Sequence, residues 1–273
     1  MRVQFASDLH LNSWTLPQFK EDMREETRER LKSNYFEKIL QPAAKTLVLC
    51  GDIGHPDSVV LATFFKWASK RWDTIFWIPG HHEMTDAWHI QTRKYEDCLN
   101  HIRLSVAMYP NVQVLHREKF ITDDGFLFLA CPLWARLTAM SDDMSRIPLY
   151  KEITRHYEQD LKWLQNEIRL AELPVVVATH YPPSYTLMDV NNLNNPLSVP
   201  FSLETETLLQ SPVVAWICGY VHKAVQIQKP WYNAEGKGGE VLIVCNPRGY
   251  PDEWHTEYRP EAVLRLEATT NSS

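Results

Sequence analysis

Val3-Gln4-Phe5-Ala6-Ser7-Asp8-Leu9-His10 begins as an apolar run and stops at two residues that bind cations. The same transition recurs further along the chain. Thr46-Leu47-Val48-Leu49-Cys50 leads into Gly51-Asp52, and Thr74-Ile75-Phe76-Trp77-Ile78 leads into Pro79-Gly80-His81-His82-Glu83. Val175-Val176-Val177-Ala178 ends at Thr179-His180, and Val213-Val214-Ala215-Trp216-Ile217-Cys218 ends at Gly219-Tyr220-Val221-His222. Short β-branched and aromatic runs bounded by Gly and Pro predict buried strands. In open α/β sheets, ligand sites form beyond the carboxyl ends of the strands. The pattern therefore gathers Asp8, Asp52, His10, His81, His82, His180 and His222 at one edge. Carboxylate oxygen and imidazole nitrogen suit Mn, Fe, Zn or Ni. A carboxylate shared by two cations roughly 3.5–4 Å apart helps clamp a phosphoryl group, and the pair lowers the pKa of water. One or two divalent or transition metal ions are the expected cofactors.

The bulk numbers place the chain in a broad class. At 273 residues it suits one large α/β domain, taken as residues 1–273. Apolar residues at 44% and charged residues at 23% are ordinary for a soluble globular protein. A net charge of −6 without a Lys/Arg-rich run argues against nucleic acid as a partner. No apolar stretch approaches the ~20 residues of a membrane span. The N-terminus enters a strand directly and offers no signal-peptide core, so a cytoplasmic location is expected. The five Cys form no C-x-x-C pair, and four of them sit in or beside apolar strands. Buried reduced thiols are the expected outcome.

Helical spacing relates Phe19, Met23, Leu31, Tyr35 and Ile39 between Pro17 and Leu40, with a charged opposite face. Similar stripes run through Trp88, Tyr95, Leu99, Ile102 and Val106, and through Ile153, Tyr157, Leu161, Leu164 and Ile168. A shorter helix is expected near 58–70. Strands are expected near 112–122 and 126–131, joined at Asp123-Asp124-Gly125, and later near 224–229, 240–245 and 262–267. The turn-forming run around Asn191-Asn192-Leu193-Asn194-Asn195-Pro196 is a candidate substrate-facing wall within 182–200.

With these residues in view, the chain resembles a calcineurin-like metallophosphoesterase. That family's pattern is D-x-H, then G-D, then G-N-H-[ED], then a lone His, then G-H-x-H. It is met here by Asp8-Leu9-His10, Gly51-Asp52, Gly80-His81-His82-Glu83, His180 and Gly219-Tyr220-Val221-His222. Leu133-Trp134 and Asn246-Pro247-Arg248-Gly249-Tyr250 are similar to motifs of a compact branch. The resemblance spans essentially the whole chain and implies an α/β fold, a four-layer α/β/β/α sandwich of two mixed sheets flanked by helices. It implies that Asp8, His10, Asp52 and His222 hold a first metal, and that Asp52 bridges to a second bound by His180. His82 would protonate the leaving oxygen or stabilise charge on phosphorus, with Glu83 as its partner. Arg248 would lie beside the site, as a phosphate ligand or in a structural salt bridge.

Two positions depart from the pattern. His81 stands where the family has Asn, and Tyr220 where it has the first His of G-H-x-H. Three outcomes stay open: a second site rebuilt with His81, with Tyr220 nearby or bound to that metal; a single metal with Tyr220 hydrogen-bonding substrate; or a site too damaged for efficient turnover. The implied activity is metal-dependent hydrolysis of a phosphate mono- or diester in a small phosphoester or nucleotide. The alternative is a weakened relative that binds nucleotide or phosphate through metal.

Overall fold

The computed structural model describes residues 1–14, 23–84, 94–134, 148–187 and 203–267. Phe19, Trp88, residues 188–200 and the side chain of Ile153 lie outside that set.

Two mixed sheets form the centre. The first has the order β11-β1-β2-β3-β4, built from β1 (Arg2–Ala6), β2 (Thr46–Cys50), β3 (Thr74–Ile78), β4 (Val112–Val114) and β11 (Val263–Arg265). The second has the order β5-β6-β7-β8-β10-β9, built from β5 (Glu118–Ile121), β6 (Leu127–Ala130), β7 (Val175–Ala178), β8 (Val213–Cys218), β9 (Val225–Tyr232) and β10 (Gly238–Cys245). Strands β1 to β4 run parallel, as do β6, β7, β8 and β10. Only the edge strands β11, β5 and β9 pair antiparallel.

The central strands are apolar on both faces because both faces are covered. Val3, Phe5, Val48, Cys50, Phe76 and Ile78 meet Phe128, Ala130, Val176, Ala178, Ala215 and Ile217 in a core between the sheets. The alternate residues, including Leu47, Leu49, Ile75 and Trp77, join a second core with the helices. Those helices are α1 (Glu25–Glu37), α2 (Val59–Ala68), the single turn α3 (His81–Met84), α4 (Tyr95–Val106) and α5 (Pro148–Arg169). Tyr95, Leu99, Ile102 and Val106 of α4 are all buried, as are Tyr157, Leu161, Leu164 and Ile168 of α5. Ser58 starts α2 by accepting a hydrogen bond from the Leu61 N–H at 3.1 Å. The result is the expected layering, helix on sheet on sheet on helix.

The single strand expected over 112–122 is two strands in different sheets. Val112–Val114 pairs with β3, whereas Glu118–Ile121 pairs with β6. The chain changes sheets at Arg117, which takes φ 57° and ties its guanidinium to the buried Asp160 at 2.7 Å. Five Cys are reduced, and Cys50, Cys131, Cys218 and Cys245 are buried. Among the described residues, no helix is long and apolar enough to cross a membrane.

Parallel pairing aims the carboxyl ends of both sheets at one edge, where their loops are stitched together. Ser7 N–H donates to Asn246 O at 3.1 Å, Asp8 N–H to Gly51 O at 2.9 Å, and Gly219 N–H to His180 O at 2.9 Å.

Candidate metal centre

Asp8 and His10 follow β1, Asp52 follows β2, His81 and His82 open α3, His180 follows β7 and His222 follows β8. Their ligand atoms fall into overlapping groups. Asp8, His10 and His222 bring one atom each within 4.8 Å of one another, as do Asp52, His81 and His180. A third group, His10, Asp52 and His82, joins them. His10 Nε2 lies 3.1 Å from His222 Nε2, and His81 Nδ1 lies 3.2 Å from His180 Nε2. Two imidazoles on one cation at ~2.1 Å in tetrahedral geometry hold their nitrogens about 3.4 Å apart.

The backbone is bent to make this edge. Asp8, His10, Asp52, Tyr220 and His222 all have positive φ, between 42° and 71°. Such left-handed residues cost on the order of 1–3 kcal/mol each and persist where the surroundings over-determine them. Two glycines create the room. A Cβ on Gly51, itself at φ +80°, would run into His180 Nδ1, and one on Gly80 would run into Asp52 Oδ1.

The surroundings hold each side chain. His180 Nδ1 is 2.8 Å from Cys50 O and His222 Nδ1 is 2.7 Å from Glu253 Oε2. Each contact leaves Nε2 free to ligate, the arrangement seen around metal-bound histidines generally. The Asp8 carboxylate accepts the Tyr220 N–H at 3.0 Å, and Asp52 Oδ1 accepts the His82 N–H at 2.9 Å. Glu83 departs from expectation. It accepts N–H groups from Asp52 (2.9 Å), Ile53 (2.5 Å), Gly54 (3.1 Å) and Gly80 (2.7 Å), bracing the Asp52 loop instead of partnering the His82 ring.

Charge follows from burial and proximity. Burial works to raise both Asp8 and Asp52, but neighbouring imidazoles outweigh it and hold both pKa values below the usual range: His222 then His180 for Asp8, His81 then His180 for Asp52. Burial lowers His10 to about 4 and also lowers His82. For His222, burial is overcome by Asp8 and Glu253, which lift it to about 9; Asp52 similarly raises His81. The donor set thus fits cations. Asp52 Oδ2 is buried, and His81 Nδ1 stands 3.0 Å away.

Tyr220 lies along the second group, its ring centroid 5.8 Å from those of both His81 and His180. Burial, then the charges of Asp52 and Asp8, push its phenol up to about 12. Arg248 is placed differently from a phosphate ligand facing the cluster. Its guanidinium stacks over the Trp14 ring at 3.6 Å, while its backbone N–H donates to Ser7 O at 3.1 Å. Trp134 is core: it is buried and donates its indole N–H to Tyr95 Oη at 2.8 Å.

Tyr250 and Glu253 are contributors without an individual signal in the sequence. Tyr250 belongs to the Asn-Pro-Arg-Gly-Tyr stretch, yet a tyrosine there is indistinguishable from core. Its hydroxyl lies 2.8 Å from His82 Nε2 and its ring stacks on His10 with centroids 4.0 Å apart.

Comparison with known proteins places this geometry. The chain is 24% identical to an uncharacterised protein of Acanthamoeba polyphaga mimivirus over 249 residues, 81% of this chain and 84% of the relative. Its fold is similar to that of phosphopantetheinyl hydrolase from Mycobacterium tuberculosis, with a TM-score of 0.62 at 14% identity over 97% of this chain and 95% of the other. A dimetal phosphatase from Danio rerio gives a TM-score of 0.53 at 13% identity over 97% and 92% of the two chains. Residues 1–223 match the calcineurin-like phosphoesterase family, a span that takes in all the strand ends described above. The chain belongs to that family of phosphoric-ester hydrolases, and its His and Asp cluster fits a dinuclear metal site.

Proposed function

We propose that this centre hydrolyses a phosphate mono- or diester of a small molecule or nucleotide, with metal ions held by two overlapping ligand groups. Asp8, His10 and His222 would hold the first, His81 and His180 the second, and Asp52 would be shared. The observation that carries the reading is the position of Asp52. Its carboxylate stands in one ligand group with His10 and His82 and in another with His81 and His180, and its buried Oδ2 lies 3.0 Å from His81 Nδ1. His81 supplies a nitrogen where the family pattern has an amide, so the second group has three donors without Tyr220. When bound, the ions would neutralise charge on phosphoryl oxygens and lower the pKa of water.

The chain's own residues supply the rest. His82 has a side chain 43% exposed, against 33% for His81, 21% for His222 and none for Asp8, Asp52 and His180. It therefore faces the side from which substrate arrives. From there its protonated imidazole donates a proton to the departing oxygen. Glu83 and the glycines keep Asp52 and His82 in register. The overall negative charge and the lack of a basic run favour a small substrate over a nucleic acid.

His82→Ala is expected to lower turnover of a phosphodiester with an alkoxide leaving group by about 10²–10⁴-fold while metal content is retained. Full activity in that variant would remove His82 from the mechanism. A metal-loaded wild-type protein that binds nucleotide and turns over no ester would replace hydrolysis with phosphate binding.

A further inference from the structure

Residues beyond 223 lie outside the family match, yet the segment after β10 closes over the metal centre. Its backbone is anchored at Ser7 O and Asp8 O by the N–H groups of Arg248 (3.1 Å) and Gly249 (2.9 Å). Glu253 Oε2 accepts from the Tyr250 N–H at 2.7 Å and meets His222 Nδ1 at the same distance. This frame fixes Tyr250, whose ring lies flat on His10 with an interplanar angle of 19°. The Tyr250 hydroxyl then reaches His82 Nε2 at 2.8 Å, a normal hydrogen-bond length.

We infer that Tyr250 is the positioning residue for His82, fixing its imidazole against His10 and directing Nε2 to the leaving-group oxygen. The inference rests on the reading of His82 as the proton donor. A half-exposed histidine on a one-turn helix has several rotamers open to it. The His82 backbone is tied to Asp52 Oδ1, but among the described residues its ring shares a hydrogen bond with the Tyr250 hydroxyl. Losing that contact leaves the ring free to turn, and a misplacement of ~1 Å costs about 10²-fold in a positioned reaction. His82 carries the proton to be transferred on Nε2; without substrate that N–H faces the Tyr250 hydroxyl oxygen, and the leaving oxygen, bound beside the same hydroxyl, takes the proton.

The test compares Tyr250→Phe, His82→Ala and the double variant on two phosphodiesters, one with a p-nitrophenolate leaving group and one with an alkoxide. An alkoxide needs the proton far more than p-nitrophenolate does. We expect Tyr250→Phe to lower kcat on the alkyl ester by 10- to 100-fold, with a loss at least fivefold smaller on the p-nitrophenyl ester. KM and metal content should hold, and the double variant should be no slower than His82→Ala alone. In the metal-free protein, the His82 imidazole ¹⁵N resonances should shift on Tyr250→Phe while those of His180 stay. Equal losses on both esters, or additive losses in the double variant, would overturn the inference. If His82→Ala shows the leaving-group dependence and Tyr250→Phe does not, the inference fails alone. If His82→Ala shows none, the underlying reading fails with it.

Discussion

His81 Nδ1 stands 3.2 Å from His180 Nε2, on the side of the cluster where Tyr220 replaces the histidine of the family pattern. The two departures from the pattern thus fall around one position. An imidazole arrives from α3 where the amide is gone, and a phenol occupies the space where an imidazole is gone. Asp52 Oδ2 lies 3.0 Å from the same His81 atom, so three donors converge without help from the phenol.

Glu253 orients His222 through Nδ1 at 2.7 Å. Glu253→Ala should weaken binding of the first metal by about 10–100-fold, the range for loss of a group that orients a ligand. Glu253→Gln retains an acceptor oxygen and should lose less. Competition titrations with a chelator and a colorimetric indicator measure both constants. Equal affinity in Glu253→Ala and wild type would show that His222 needs no support.

Gly80 lies against Asp52, and an added methyl would sit 2.5 Å from Asp52 N besides striking Oδ1. Gly80→Ala should therefore push the shared carboxylate aside, lowering metal content and reducing turnover by about 10²-fold or more. Gly125→Ala is the control: its turn has φ +79° with no atom near the added methyl, so strain of about 1–2 kcal/mol should appear in stability alone. A fully loaded, active Gly80→Ala protein would contradict the packing described here.

Metal uptake should release protons at neutral pH. The metal-free site holds His222 protonated up to about pH 9, and His81 is also raised above its ordinary value. A cation must displace those protons, so affinity rises with pH toward about 9 and falls as pH drops, by about tenfold per unit for each proton displaced. Calorimetric titrations at pH 7 in buffers of different ionisation enthalpy measure the release directly. Heats independent of buffer would show that both rings are already neutral.

Much of this was legible in the chain. The strand ends were readable because a strand buried on both faces has to be continuously apolar, so an Asp or His marks where it leaves the core. The α4 stripe of Tyr95, Leu99, Ile102 and Val106 was readable for the matching reason at helical period. The split between β4 and β5 was not, because both strands show the same residue preferences. What separates them is Arg117 at positive φ, held by a carboxylate more than forty residues away in α5. Glu83 was misread for a similar reason. Its place in the motif suggests the neighbouring His82, yet buried carboxylates go where backbone donors converge, and four converge at Asp52 and Gly80. Tyr250 and Glu253 depend on the path of a loop without periodicity, which only the fold reveals.

The most direct test of the shared-carboxylate centre is metal content per chain, by elemental analysis of protein purified without chelator or metal-affinity tag, for wild type and His81→Ala. The account predicts close to two ions in wild type and close to one in His81→Ala, with the first site intact. One ion in both proteins would contradict it, and would mean that His81 rebuilds no second site.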